Sequence, residues 1–271
     1  MSRDALSFPS SSAKPIEHYL PESTGLARPL YPHVTLTYAT SLDANLSLSP
    51  GVQTALSGTQ SKAMTHFLRS KHAAILIGAG TAIADDPSLN CRIEGVGGYG
   101  GPGLEGQPRP VVLDPKGRWK VNAESKVVKL AKEGRGLGPW VIGAQDTPIE
   151  ESKHRALTDA GGSYITLPTD SSGRFDWANI LNILGTKGIT SVMVEGGGSV
   201  INELLSPRAI GLVDSVIVTI APVWLGKNGV QVCPDERKNE GGVKMPVGKL
   251  KDVRWLPLGE DVVLCGRPAW Q

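Results

Sequence analysis

The feature that most constrains this chain is a run of three glycines, Gly196-Gly197-Gly198, between an apolar stretch and an amphipathic one. Ahead of it, Ser191-Val192-Met193-Val194 reads as the end of a buried strand, closed by Glu195. Behind it, Val200, Ile201, Leu204 and Leu205 recur at helical spacing, with Ser199 placed to cap the helix. Glycines let backbone N–H groups approach a ligand with no Cβ in the way, and a helix N-terminus at the same spot favours an anion. Glu195 stands at the strand's carboxyl end, where open α/β sheets bind ligands. Two familiar phosphate loops do not fit. The dinucleotide fingerprint needs glycine at 201, where this chain has Ile201, and a Walker loop needs Lys-Ser/Thr after the glycines. A tight turn with no ligand is the plainer alternative.

Length and charge narrow the class. A chain of 271 residues can bury a proper core as one large domain or two small ones. A net charge of +2 is too balanced to argue for a nucleic-acid partner. No apolar run approaches the ~18–20 residues of a membrane span, and no apolar core follows the first charges as in a secretory signal. Cys91, Cys233 and Cys265 are far apart and outside any C-x-x-C. They read as reduced thiols in a cytoplasmic compartment, with no zinc site.

Taken in order, residues 1–30 form an N-terminal arm without periodicity, either disordered or wrapped on the body through Tyr19 and Leu20. A single domain, 31–271, follows. His33–Ala39 reads as a strand running into a polar loop, where Asp43 is either a turn residue or a site carboxylate. Ser57-Gly58-Thr59-Gln60 reads as a capping box for a helix ending near Lys71, with Arg69 in its last turn, where cations suit the dipole. Residues 73–77 form an apolar strand entering a second glycine-bearing loop, 78–87. The stretch 95–107 is glycine-rich and reads as a flexible insertion. Strands are expected at 110–114, 140–143 and 164–167, with a helix near 150–160 and another carrying Trp177, Ile180, Leu181 and Leu184. After a strand at 215–222, Val253–Leu258 and Val262–Gly266 close the chain as an antiparallel hairpin. The pattern predicts an α/β fold with a mostly parallel central sheet, flanking helices and an antiparallel C-terminal β-hairpin.

Three of these stretches, Gly80-Thr81 with Ala84–Leu89, Val194–Gly198, and Thr37–Asp43, together resemble the riboflavin-pathway reductases, whose fold is dihydrofolate-reductase-like. The resemblance covers about residues 32–267. It implies an NADPH-dependent oxidoreductase, acting in the cytoplasm as a homodimer on a phosphorylated pyrimidine. The ribosylamino group of a 2,5-diaminopyrimidinone 5′-phosphate would be reduced to the ribitylamino form. It also implies cofactor contacts at Thr81, Asp85, Phe175, Gly197, Gly198, Ser199, Val200 and Ile201, and substrate contacts at Gln53, Arg69, Leu89, Arg92 and Glu195. Ala55 stands where bacterial relatives have a tryptophan, a departure from their pattern at a position that would stack. The residue types agree: Arg69 and Arg92 offer bidentate forks to a phosphate, and Glu195 can accept from pyrimidine amino groups. Glu195 and Asp43 are the proton-donor candidates. Lys116 and Arg118 follow a strand's carboxyl end, where cations can reach a 2′-phosphate. The deaminase signature of bacterial relatives, H-x-E with P-C-x-x-C, is missing from the sequence. Two rivals are a reductase of the deaminated pyrimidine and a non-catalytic nucleotide-binding protein.

Overall fold

Nine short, mostly apolar segments pair edge to edge in the computed structural model, which describes residues 5–22 and 31–269. They are β1 (His33–Thr40), β2 (Ala74–Gly78), β3 (Arg109–Leu113), β4 (Trp140–Ala144), β5 (Ser163–Leu167), β6 (Ser191–Gly196), β7 (Ser215–Ile220), β8 (Lys249–Leu258) and β9 (Asp261–Ala269). Their order in the sheet is β8-β9-β7-β1-β6-β2-β3-β4-β5. From β7 to β5 every neighbouring pair is parallel. Only β9 runs antiparallel, to both β7 and β8. This is the mostly parallel α/β sheet with an antiparallel C-terminal hairpin expected above. The chain begins at β1, builds outward from β2 to β5, then returns to fill the gap with β6 before crossing to β7. That reversal leaves a switch point at the carboxyl ends of β1, β6 and β2, where such sheets open a crevice.

Side-chain alternation divides the core. Val34, Leu36, Leu76, Val192, Val194, Val216 and Val218 face α6 (Trp177–Thr186) and α7 (Gly198–Leu204). On the other face, Ile75, Ile77, Val112 and Val141 pack with α3 (Ala79–Asp85), α4 (Lys126–Lys132) and Leu157 of α5 (Glu151–Thr158). Further along that face, Met193, Ile217, Val263 and Cys265 pack with α1 (Ser10–Glu17) and α2 (Thr59–Ser70). Burying both faces of parallel strands explains why their sequences run apolar without a break.

Several local expectations are corrected. Ser199 does not cap α7: Gly197 is the N-cap, and Ser199 lies inside the first turn. Ser57 does not cap α2 either. Gly58 is the N-cap, and the cap comes from Asp261 of the distant hairpin, whose Oδ2 accepts from Gly58 N at 2.9 Å and Ser61 Oγ at 2.6 Å. The loop expected at 78–87 is largely helical, because α3 starts directly at the end of β2. The glycine-rich stretch is folded: Tyr99 is buried, and Gln107 bonds both backbone groups of Cys91 and the carbonyl of Gly97. Its glycines serve close turns instead of mobility. Of the two readings of the arm, the one that wraps it on the body through Tyr19 and Leu20 holds: both are buried with Ala13 and Ile16 against α2 and the hairpin, and part of the arm forms α1. The domain boundary expected at residue 30 lies outside the described residues.

Candidate functional site

A cleft of about 1030 Å³ opens at the switch point, between α2 on one side and α3 with α7 on the other. Its two walls are chemically different. The α2 wall is made of side chains. Lys62, Thr65, His66 and Arg69 occupy positions i, i+3, i+4 and i+7 and all line the cleft. Arg69 meets Glu195 as a two-pronged pair, Nε to Oε1 and Nη2 to Oε2, both at 2.6 Å, and Nη1 donates to Asn90 O at 3.0 Å. The side chains are only 13% and 15% exposed, so this pair is drier than an ordinary surface bridge. Burial works against the guanidinium's charge, but the Glu195 carboxylate outweighs it and raises the Arg69 pKa.

The reason Glu195 points this way is a register shift. Leu76 of β2 pairs with Val194 and Ile77 with Gly196, so Glu195 is the extra residue of a bulge, a device that re-aims side chains beside active sites. Leu89 is buried yet has φ of +50°, a left-handed bend unusual for a bulky residue, and it turns the chain into the segment carrying Arg92. Arg92 N donates to His66 Nδ1 at 3.2 Å. Burial, then the charges of Arg69, Arg92 and Lys62, push the His66 pKa down to about 2, so the ring is neutral and its Nδ1 is free to accept.

The opposite wall is made of backbone. Gly196 and Gly197 take φ of +147° and +88°, values that L side chains rarely adopt. A Cβ on Gly197 would stand 3.2 Å from Thr81 Oγ1, so the glycine faces the start of α3 across a narrow gap. Thr81 and Asp85 of α3 line this side with Ser199, Val200 and Ile201 of α7 and Phe175 of the loop before α6. Burial pushes the Asp85 carboxyl up while Lys126 pulls it down. Arg118, Lys126 and Arg174 stand at the rim.

The cleft gathers Gln53, Arg69, Leu89, Arg92, Glu195, Thr81, Asp85, Phe175 and residues 197–201, all named from sequence. Asp43 is not among its lining residues. Its carboxylate accepts from Ser41 Oγ at 2.5 Å, Leu225 N at 3.0 Å and Gly226 N at 2.7 Å, which ties two loops together. The Ser41 hydroxyl and those backbone groups hold its carboxyl well below the usual carboxylate range, which unfits it as a proton donor. Arg69 is likewise not an open fork for phosphate, since Glu195 occupies both prongs. Gly198 is closed by Val230, whose Cγ1 would lie 2.5 Å from an added Cβ. Lys62, Thr65 and His66 were missed, although their spacing to Arg69 on a recognised helix was the signal. Lys126 was missed because α4 was.

A family model described as the RibD C-terminal domain matches residues 32–264. The 2,5-diamino-6-ribosylamino-4(3H)-pyrimidinone 5′-phosphate reductase of Debaryomyces hansenii is 39% identical over 256 residues, covering 93% of this chain and 94% of its own. The Saccharomyces cerevisiae protein of the same name is 38% identical, covering 94% of each. The solved structure of the S. cerevisiae riboflavin biosynthesis reductase Rib7 superposes with a TM-score of 0.73 at 34% identity, over 94% of this chain and 98% of that one.

Proposed function

The chain belongs to the RibD C-terminal domain family, and from that membership we propose that it reduces 2,5-diamino-6-ribosylamino-4(3H)-pyrimidinone 5′-phosphate to the ribitylamino form in riboflavin biosynthesis, with NADPH as reductant. The observation that carries this reading is the cleft's division into a cationic side-chain wall and a glycine wall that share Glu195 as their meeting point.

The glycine wall suits the cofactor. Backbone N–H groups at the start of α7, with no Cβ over Gly196 or Gly197, suit a pyrophosphate, and Thr81 and Asp85 flank them. The volume accommodates a dinucleotide beside a second ligand. When bound, the reduced nicotinamide supplies a hydride. In the reaction the substrate gains hydrogen at C1′, the C1′–O4′ bond opens, and one proton goes to O4′. Arg92 and Lys62 take the 5′-phosphate, a dianion that needs more than one cation. Arg69 fixes Glu195 so that its carboxylate presents the remaining acceptor positions to the pyrimidine's amino groups. The loops stapled by Asp43 carry Leu46, Ser47 and Val230, which close the cleft from above and exclude water.

We further propose a homodimer acting in the cytoplasm. The exposed Trp224, at 72%, supports association, and the three free cysteines suit a reducing compartment. The test is NADPH oxidation, followed at the nicotinamide absorbance, with the diamino compound, its deaminated counterpart and a dephosphorylated diamino compound. Fast turnover of the first alone supports the reading. Preference for the deaminated ring reassigns the substrate, and equal use of the dephosphorylated form removes the phosphate wall. Light scattering in solution checks the dimer.

A further inference from the structure

The segment that carries Arg92 is held from two sides, and one of the holders is the N-terminal arm. Arg92 N donates to His66 of α2, while Arg92 O accepts from Leu6 N at 2.7 Å. Glu94 N in turn donates to Leu6 O at 2.9 Å, so Leu6 and Ile93 form an isolated parallel bridge. Two residues further, the Phe8 ring packs 5.2 Å from that of Phe67, which lies two positions before Arg69 on α2. The arm therefore touches both pieces of chain that supply the cations of the α2 wall. It is also anchored at its far end. Ile16 and Tyr19 are buried, the Tyr19 hydroxyl donates to Asp252 O, and Arg267 Nη2 donates to His18 O at 2.7 Å.

We propose that the arm is a positioning element for the phosphate end of the substrate: the Leu6 rung fixes the Arg92 peptide and with it the bearing of the Arg92 side chain into the cleft. This rests on the reading above in which Arg92 meets the 5′-phosphate. A long side chain on a loop costs rotamer and backbone entropy to hold, and a peptide bonded at both its N–H and its carbonyl bears that cost before the ligand arrives. Gln107 does the same for the neighbouring Cys91 peptide from the inner side, bonding its N–H at 2.9 Å and its carbonyl at 2.8 Å, but it does not reach the carbonyl of Arg92. The arm supplies that contact through the residues ahead of Phe8, which lie outside the core cluster that Ala13, Ile16, Tyr19 and Leu20 help to form.

The experiment uses the full chain with Leu6→Pro, which deletes the N–H donated to Arg92, alongside Arg92→Ala and the double variant. Binding of ribose 5-phosphate and of NADPH is measured by calorimetry on each, with pyrimidine KM and kcat. The expected result for Leu6→Pro is ribose 5-phosphate binding weaker by roughly three- to tenfold, the size of one net hydrogen bond, with NADPH affinity and kcat unchanged. The double variant should bind no more weakly than Arg92→Ala alone, because the arm acts through Arg92. Parental ribose 5-phosphate affinity in Leu6→Pro overturns the proposal while leaving the phosphate reading intact, as does an additive double variant. Parental affinity in Arg92→Ala overturns both. If Leu6→Pro does not fold, removal of residues 1–7 is judged by the same criteria.

Discussion

The two walls of the cleft are built by opposite means. The α2 wall exists because side chains from positions 62, 66, 69, 92 and 195 converge, with the opposite charges of Arg69 and Glu195 held together under cover. The glycine wall exists because atoms are missing: Gly196 and Gly197 expose peptide groups by carrying no Cβ and by adopting positive φ. A buried charge is protected by its partner, so removing atoms damages the first wall. An open backbone is damaged only by adding them. Subtractive and additive variants should therefore separate the two functions cleanly.

The largest effect is expected from Arg69→Leu. It leaves the Glu195 carboxylate covered and without its partner, a situation that costs about 3–5 kcal/mol of stability. Urea denaturation measures it, and the double variant Arg69→Leu, Glu195→Leu should recover most of the loss while staying inactive. An Arg69→Leu protein as stable as the parent would mean that the pair organises nothing. Acid should also attack this wall first. Burial pushes His66 down to about 2 and His72 down to about 4, from an ordinary 6.5. His72 is built for neutrality, with Nδ1 2.7 Å from Leu68 O and Nε2 2.8 Å from Thr35 Oγ1, which itself accepts from Ser215 Oγ. Because both folded pKa values lie below the unfolded ones, the unfolded chain binds more protons, and stability is intact above pH 6.5 and falls as the pH drops toward 4. The loss by about pH 4.5 is roughly 2–3 kcal/mol for each histidine, about 5 kcal/mol together, with a slope that flattens in His72→Gln. A parental slope in that variant removes His72 from the account.

Gly197→Ala should act on the other wall alone. The new methyl group sits in a positive-φ residue 3.2 Å from Thr81 Oγ1, and the strain is about 1–2 kcal/mol. NADPH affinity should fall with ribose 5-phosphate affinity unchanged. Equal loss of both ligands would erase the distinction between the walls. Gly198→Val is not equivalent, since its side chain first strikes Val230 and so tests loop closure instead.

The glycine wall was the more legible of the two in the sequence, because strand, glycines and helix are contiguous and their order is a local signal. The sheet was legible for the same reason: unbroken apolar runs at β2, β3 and β6 can only be buried on both faces. The α2 wall was half legible. Arg69 and Arg92 were named through resemblance, but that Arg69 is spent on Glu195 depends on a bulge in β6 that no local pattern announces. Asp261 capping α2 and Leu6 bonding Arg92 are contacts across 200 and 86 positions, set by topology and not by spacing. Of the two readings of Asp43 the turn residue holds and the proton donor does not, because a loop aspartate looks the same in sequence whether it faces a ligand or, as here, the backbone of another loop. The glycine-rich stretch was misjudged because composition does not tell a flexible chain from one whose turns are locked by Gln107 and Tyr99.

The smallest effect concerns the rim of the glycine wall, where a 2′-phosphate would separate NADPH from NADH. Sequence pointed to Lys116 and Arg118, but only Arg118 lines the cleft; Lys126, at the start of α4, stands there with it. Lys126 has a competing partner in Asp86, 3.7 Å away, and both are about half exposed, so the pair is loose enough to yield to an incoming dianion. An exposed contact of this kind contributes roughly 1 kcal/mol and weakens with salt. The double variant Arg118→Ala, Lys126→Ala should lower the ratio of NADPH to NADH efficiency at low ionic strength and leave it nearly parental at high, while Lys116→Ala changes neither. Because these cations belong to the backbone wall, the same variant should leave ribose 5-phosphate affinity untouched. A ratio unchanged at low salt would mean that cofactor choice is made by groups inside the cleft, and that the glycine wall, like the α2 wall, relies on buried side chains for its selectivity.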